Sequence, residues 1–508
     1  MHRSSILLLL LSIPVTQCYI TSYSAVPANK QVEWLKKLTG DICESPTGEL
    51  TDEMIKSAPE IMKGWTSSKA SKENAVAVEA LVKRLVEESK AGNMAAVPHT
   101  FEYNAMLESW SRSGTGVFAA ERCEQILTHM DERYQSGDSN VQPNLASFKT
   151  VLMAWRHSGE SYSSYRAQRV LDWMIRLHSE GKNDLVLPDS DCFDIVLQSW
   201  SHNLAPEAPK NAEKLLGGME KLSRERSSTI LAPRTVSFNA VLGAWSRSKE
   251  KFAWKRATSI LNFMENLYNV EGNKRVKPDA YTYSIFMSAL SRSGDDASAP
   301  EADAVLRRVE MEHKAGTLGF QPSTILFNSV MGCWSKSNAQ GSYRRARSIL
   351  DRQLNLYQAG CDECRPDVFG YTSVLSSCAS ESGEKKDRAS AFNVALATFQ
   401  ELNSRSEEFG TPNHVTYGTM LKACVRLLPS ASPLRKKWTK KLFQECKARG
   451  LVGDMVLSRL REAASPQEYY NLMEGKSKGN IPKSWSRNVN EKSGYRRKIG
   501  ANRKRAEV

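Results

Sequence analysis

The stretch Pro143-Asn144-Leu145-Ala146-Ser147-Phe148-Lys149-Thr150-Val151-Leu152-Met153-Ala154-Trp155 decides the fold. Phe148, Val151, Leu152 and Trp155 fall at i, i+3, i+4 and i+7, which is one stripe of a helix with 3.6 residues per turn. The proline cannot sit inside that helix, and Asn144 is a residue type that caps helix starts. The stripe recurs in the same register on both sides. Upstream it reads Tyr103/Met106/Leu107/Trp110. Downstream it continues as Phe193/Val196/Leu197/Trp200, Phe238/Val241/Leu242/Trp245, Tyr283/Phe286/Met287/Leu290 and Phe327/Val330/Met331/Trp334. Tyr371/Val374/Leu375/Cys378 and Tyr417/Met420/Leu421/Cys424 complete it, and a degenerate copy, Ala58/Ile61/Met62/Trp65, lies nearer the N-terminus. Trp65, Trp110, Trp155, Trp200 and Trp245 are each 45 residues apart. Pro98, Pro143, Pro188, Pro233, Pro278, Pro322, Pro366 and Pro412 keep the same beat, at spacings of 44 to 46.

Each period holds a second helical pattern, as in Ala167/Val170/Leu171/Met174, Ala212/Leu215/Leu216/Met219 and Ala257/Ile260/Leu261/Met264. Ser- and Gly-containing runs such as Ser111–Gly116 and Ser158–Ser164 separate the two helices, as turn signals do. An amphipathic helix pair cannot bury its apolar face alone, but stacked neighbours can. The expected fold is therefore all-α, an α-solenoid superhelix of stacked antiparallel helix pairs, with the tryptophan column as packing. Residues 51–97 make the degenerate first repeat, 98–454 eight repeats and 455–475 a capping helix region.

The remaining segments are of another kind. Residues 1–18, with Arg3 ahead of the apolar run Ile6–Leu11, read as a signal-type targeting segment, and 19–50 as a transit or linker region. Residues 476–508 carry eleven Lys/Arg against two Asp/Glu, so they hold +9 of the net charge of +14. A disordered basic tail is expected there, with Trp485 and Tyr495 among its charges, suited to nonspecific contact with RNA phosphates. The body is close to neutral. The ten cysteines show no regular framework. Cys123, Cys378 and Cys424 take core positions, which fits reduced, buried thiols. His178-Ser179-Glu180 and Cys361-Asp362-Glu363-Cys364 are fragments of a zinc deaminase signature, but they lie in turns of different repeats and lack a second C-x-x-C. No phosphate loop or nucleophile–base spacing is present. No catalytic residue, cofactor or metal is expected.

The string Pro278-Asp279-Ala280-Tyr281-Thr282-Tyr283-Ser284, followed by an apolar helix and then Ser-Gly, resembles a pentatricopeptide repeat. So do Pro366-Asp367-Val368-Phe369-Gly370-Tyr371-Thr372 and Pro412-Asn413-His414-Val415-Thr416-Tyr417-Gly418. The likeness runs over roughly residues 50–455, with repeats longer than the family's and the extra residues in turns such as Ser136–Val141 and Asn269–Val276. It implies single-stranded RNA as partner and one base read per repeat by two side chains. One directly follows the aromatic of a first helix and the other directly follows the next proline. The pairs so implied are Asn104 with Asn144, Lys149 with Asp189, Asp194 with Arg234, and Asn239 with Asp279. Ser284 with Ser323, Asn328 with Asp367, and Thr372 with Asn413 complete them. Asn239/Asp279 and Asn328/Asp367 suggest uracil, Asn104/Asn144 a pyrimidine and Thr372/Asn413 adenine. The charged pairs match no common combination and could bond to each other instead. A structural reading competes for the same residues, because those after proline belong mostly to the helix-capping set. The resemblance and the leader together imply an organellar factor in RNA stability, processing or translation, in a plastid reached by the secretory route or else in mitochondria. Other RNA-processing or ribosomal proteins are candidate partners, and no membrane association is expected. The alternative is a helical-repeat scaffold that binds protein, in keeping with the near-neutral body.

Overall fold

Local chemistry sets where each first helix begins. After the proline, Asn144 Oδ1 accepts from the Ser147 amide at 3.1 Å, Asp189 from Cys192 at 3.0 Å and Asp367 from Gly370 at 2.9 Å. Each cap satisfies a donor that the helix start leaves open. The computed structural model describes residues 30–226, 229–476 and 480–489. Among these the regular structure is α-helix and short 3₁₀ turns, with no strand.

The chain divides into two units, Met1–Ser248 with Lys274–Val276, and Lys249–Asn273 with Lys277–Val508. The first contains α1 (Gln31–Glu44), α2 (Asp52–Ser67), α3 (Lys72–Lys90), α4 (Thr100–Arg112), α5 (Val117–Gln135), α6 (Leu145–His157), α7 (Ser163–Ser179), α8 (Ser190–His202), α9 (Ala208–Glu225) and α10 (Thr235–Arg247). The second contains α11 (Ala253–Asn269), α12 (Ala280–Ser293), α13 (Ser298–Lys314), α14 (Thr324–Lys336), α15 (Ser342–Gln358), α16 (Val368–Ala379), α17 (Lys385–Ser404), α18 (Ser406–Phe409), α19 (His414–Leu427), α20 (Pro433–Ala448), α21 (Asp454–Ala463), α22 (Pro466–Leu472) and α23 (Lys483–Ser486). Within each unit consecutive helices pack as pairs, and first helices pack on first helices. In the first unit α4 lies on α6, α6 on α8 and α8 on α10. In the second, α12 lies on α14, α14 on α16, α16 on α19 and α19 on α21. This is the stacked-pair arrangement of an α-solenoid.

The tryptophan column is core, with Trp65, Trp110, Trp155, Trp200, Trp245 and Trp334 all buried. A buried indole N–H needs an acceptor. Four tryptophans find it on the second helix of the preceding pair. Trp110 donates to Glu79 at 2.8 Å, Trp155 to Glu124 at 2.7 Å, Trp200 to Gln168 at 2.7 Å and Trp245 to Glu213 at 3.1 Å. Each indole therefore ties two pairs together by apolar contact and by one polar bond. Cys123, Cys378 and Cys424 are buried as free thiols, and burial pushes each up to about 12.

The residues that lengthen the repeat are ordered. They close into 3₁₀ turns at Met94–Ala96, Ser139–Val141, Asp184–Val186, Lys274–Val276 and Asp362–Cys364. Each turn buries its last side chain, Ala96, Val141, Val186, Val276 or Cys364. Hydroxyls at the first position of the preceding first helix donate to turn carbonyls. Thr100 reaches Gln142 O at 2.8 Å, Thr235 reaches Arg275 O at 3.2 Å and Thr324 reaches Glu363 O at 3.0 Å. Asn183 donates to Pro143 O at 2.8 Å, and the Cys364 thiol to Pro322 O at 3.0 Å. Cys361 and Cys364 thus occupy packing positions of one such turn.

Helical structure starts earlier and ends later than the sequence suggests. α1 falls in the segment expected to be a transit or linker region, and buries Leu35, Leu38 and Ile42 against α2 and α3. At the other end, Trp485 is buried 6.1 Å from the Phe443 ring, and its carbonyl accepts from Val452 N at 2.8 Å. The expected targeting segment, residues 1–18, and residues 490–508 of the basic tail lie outside the described residues. Among the described residues no helix is long and apolar enough to cross a membrane.

Candidate nucleic-acid interface

Two side chains from successive repeats can share one site only if the stack places them together. The residue after the first-helix aromatic lies on the first turn and a half of that helix. The residue after the next proline caps the neighbouring first helix. In the second unit Asn328 Nδ2 donates to Asp367 Oδ1 at 3.0 Å. Asn328 is buried, and its Oδ1 meets no hydrogen-bond partner among the described residues. Such an orphan is costly unless something else supplies a donor. Thr372 meets Thr416 hydroxyl to hydroxyl at 2.9 Å, and Thr416 in turn lies 3.2 Å from Asn413 Oδ1, so this pair is linked through one hydroxyl. In the first unit Asn104 Nδ2 donates to Asn144 Oδ1 at 3.4 Å, while Asn104 Oδ1 accepts from Ser147 Oγ at 2.7 Å.

The charged residues form a closed network. Lys149 Nζ lies 3.1 Å from Asp189 and 2.6 Å from Asp191. Arg234 lies 2.6 Å from Asp191 and donates through Nε to Asp194 at 3.2 Å. Ser237 donates to the other oxygen of Asp194. Burial pushes the Asp194 carboxyl up, while Ser237 and Arg234 hold it back. Asp191, which no sequence argument singled out, bridges the two pairs.

Asn239 is a buried residue of the first unit, and Asp279 caps α12 in the second, accepting from Thr282 N at 2.7 Å. Ser284 turns its hydroxyl onto its own helix, to Ala280 O at 2.8 Å. Ser323 precedes α14 without a side-chain cap bond. In the last repeat Gly418 stands at the first position, and a Cβ there would meet Met455 Sδ at 2.7 Å, so Met455 fills the space. Capping and pairing are one arrangement. Asp367 Oδ1 serves both the Gly370 amide and Asn328, and Asn144 Oδ1 serves both Ser147 and Asn104.

A second column escaped the sequence reading. Three residues before five of the seven pairing positions, on the same helix face, stand Phe101, Val236, Tyr281, Ile325 and Phe369, all exposed, Phe369 to 64%, while Ala146 and Asp191 take that place before Lys149 and Asp194. Exposed apolar side chains recurring at one register form a patterned surface rather than scattered ones. Its sequence signal was an apolar residue two places past the cap, out of phase with the core stripe.

A scan of known protein families finds no match to this chain. The chain is 28% identical over 109 residues to a chloroplastic pentatricopeptide repeat-containing protein of Arabidopsis thaliana. The matched stretch covers 22% of this chain and 18% of the Arabidopsis protein. The chain is thus a helical-repeat protein with local similarity to a pentatricopeptide protein.

Proposed function

We propose that the chain is a non-catalytic binder of single-stranded RNA that reads bases with side-chain pairs drawn from successive repeats. The observation that carries this reading is the Asn328–Asp367 contact. A buried amide and a half-buried carboxylate pair across successive first helices, with one amide oxygen left without a donor among the described residues. Uracil presents an N3–H donor between two carbonyls, which suits an acceptor flanked by an amide. The exposed rings and branched chains at five of the seven pairing steps suit stacking against splayed bases, whose faces need an apolar platform. Lys149, Asp189, Asp191, Arg234 and Asp194 satisfy one another, so those two steps act as spacers. The similarity to a chloroplastic protein and the apolar leader support a role in organellar RNA stability, processing or translation, with a plastid favoured over mitochondria.

Substituting Asn328 by alanine tests the pairing. The expected result is a loss of uracil preference at one position of the bound RNA, with affinity for the preferred RNA falling roughly five- to tenfold, the worth of about one hydrogen bond. Competition binding with RNAs that differ at each position in turn measures it. Unchanged preference at every position would remove base reading by this pair.

A further inference from the structure

The C-terminal end of the second unit holds a second kind of site. α20 carries six Lys/Arg against one Glu. Arg435 is buried and structural, donating to Ala463 O at 3.0 Å and to Glu462 O at 2.6 Å. The lysines face outward, and Lys436, Lys437, Lys440 and Lys447 line a cleft of about 460 Å³ between α20 and the Ala464–Glu474 segment, with Thr439 and Asn471. Two carboxylates in the cleft are already engaged. Glu468 lies 3.0 Å from Lys436, and Glu474 is shared by Lys447 and Lys476. Lys437 and Lys440 make no ion pair with any described residue, so two positive charges remain uncompensated.

Thr439 supplies an independent observation. It is only 2% exposed, and its Oγ1 has no hydrogen-bond partner among the described residues. Helical threonines ordinarily donate to the carbonyl four residues back. Thr128 and Thr150 do so at 2.9 Å. Thr439 does not. A donor kept off its own helix, beside two unpaired ammonium groups, matches the oxygens of a phosphate ester. Lys447 of the cleft and Lys476 stand over the Trp485 ring, with their Nζ atoms 4.1 and 5.1 Å from its centre. This holds the wall of the cleft in place.

We propose that this cleft binds a backbone phosphate of RNA without regard to base identity, through Lys437, Lys440 and the Thr439 hydroxyl. The inference takes the identity of the polyanion from the RNA-binding reading, but it does not depend on base recognition by the paired residues. Two variants of the full chain test it, Lys437→Gln with Lys440→Gln, and Thr439→Val, which preserves shape. Calorimetric titration with sodium tripolyphosphate is expected to show binding that falls about tenfold in each variant. RNA binding followed from 50 to 200 mM salt is expected to lose about 0.7 from its salt slope in the lysine variant, the share of one single-strand phosphate. The loss should be equal for preferred and scrambled sequences. The basic tail is present in every protein compared, so its contribution cancels. If RNA binds without sequence preference and the variants still weaken it, base reading fails and the cleft stands. If sequence preference holds and the variants bind tripolyphosphate and RNA like the parent, the cleft proposal is overturned and base reading stands. It is overturned equally if the variants lose binding to phosphoinositide vesicles while RNA binding stays unchanged.

Discussion

Replacing Trp155 by alanine is expected to destabilise the first unit by about 3–5 kcal/mol, the usual cost of emptying a tryptophan-sized core site. Trp155 is fully buried, and its loss also frees Glu124, which accepts its indole N–H at 2.7 Å. Glu124 keeps Arg166 at 3.0 Å, so the orphaned carboxylate adds little to the cavity. Phenylalanine separates the two contributions. Trp155→Phe keeps most of the apolar contact and loses the polar bond, so about 1 kcal/mol is expected. Trp334 provides the control, because its Nε1 has no partner among the described residues. Trp334→Phe should therefore cost less than Trp155→Phe. Urea unfolding followed by helical circular dichroism measures all three. Equal costs for the two phenylalanine variants would mean that the indole bonds add nothing to the coupling between repeats.

The second large effect is expected at Glu88, which is fully buried in the first unit. Its carboxylate accepts from Gly48 N at 2.8 Å, Leu50 N at 3.2 Å and Arg84 Nη1 at 2.9 Å. Glu88→Ala leaves two amides short of an acceptor and a buried guanidinium without its counter-charge, a loss of about 3–5 kcal/mol. Hydrogen exchange should show residues 31–90 opening first, since this cluster clamps the segment between α1 and α2 onto α3. Glu88→Gln keeps one acceptor and should lose less. The same carboxylates make the region acid-sensitive. Burial opposes ionisation of Glu88, but its backbone and Arg84 hydrogen bonds hold it below the usual range. Glu79 is likewise opposed by burial and is held down at about 2 by Arg122, Lys83 and Trp110. A carboxyl depressed on folding stabilises the native state above its unfolded pKa. That stabilisation is lost as pH falls through the folded value. Stability of the first unit should therefore decline between about pH 4.5 and 2, and Glu79→Gln should flatten that slope. A variant with the parent's pH profile would contradict this assignment.

Much of this architecture is written in the repeat itself. The 45-residue beat of tryptophan and proline names the helix pairs, because burial selects the same stripe each time and proline stops each linker. What escapes has a physical reason in each case. The 3₁₀ turns are short, and what orders them is contact with the preceding repeat, such as Asn183 on the Pro143 carbonyl. The polar partners of the tryptophans lie 31 or 32 residues upstream, on another helix, where a Glu or Gln looks like any solvated residue. α1 lacks the proline that directly precedes the caps of α4, α6 and α8. Its apolar residues Leu35, Leu38 and Ile42 become core only once α2 and α3 are beside them. At the candidate interface, the charged pairs Lys149/Asp189 and Asp194/Arg234 were legible as self-satisfying, but their connection through Asp191 depends on the stacking distance.

The central claim is that paired side chains from successive repeats read bases. It is tested most directly by selecting the protein's preferred sequences from a randomised single-stranded RNA pool at moderate salt, with Asn328→Ala selected in parallel. The expected result is a motif with uracil at the step of Asn328 and Asp367, adenine at the adjacent step of Thr372 and Asn413, and no preference at the two steps closed by Lys149, Asp191 and Arg234. In the variant the uracil alone should disappear. Enrichment of no motif, or a motif unchanged by the substitution, would contradict base reading and turn the search toward a protein partner.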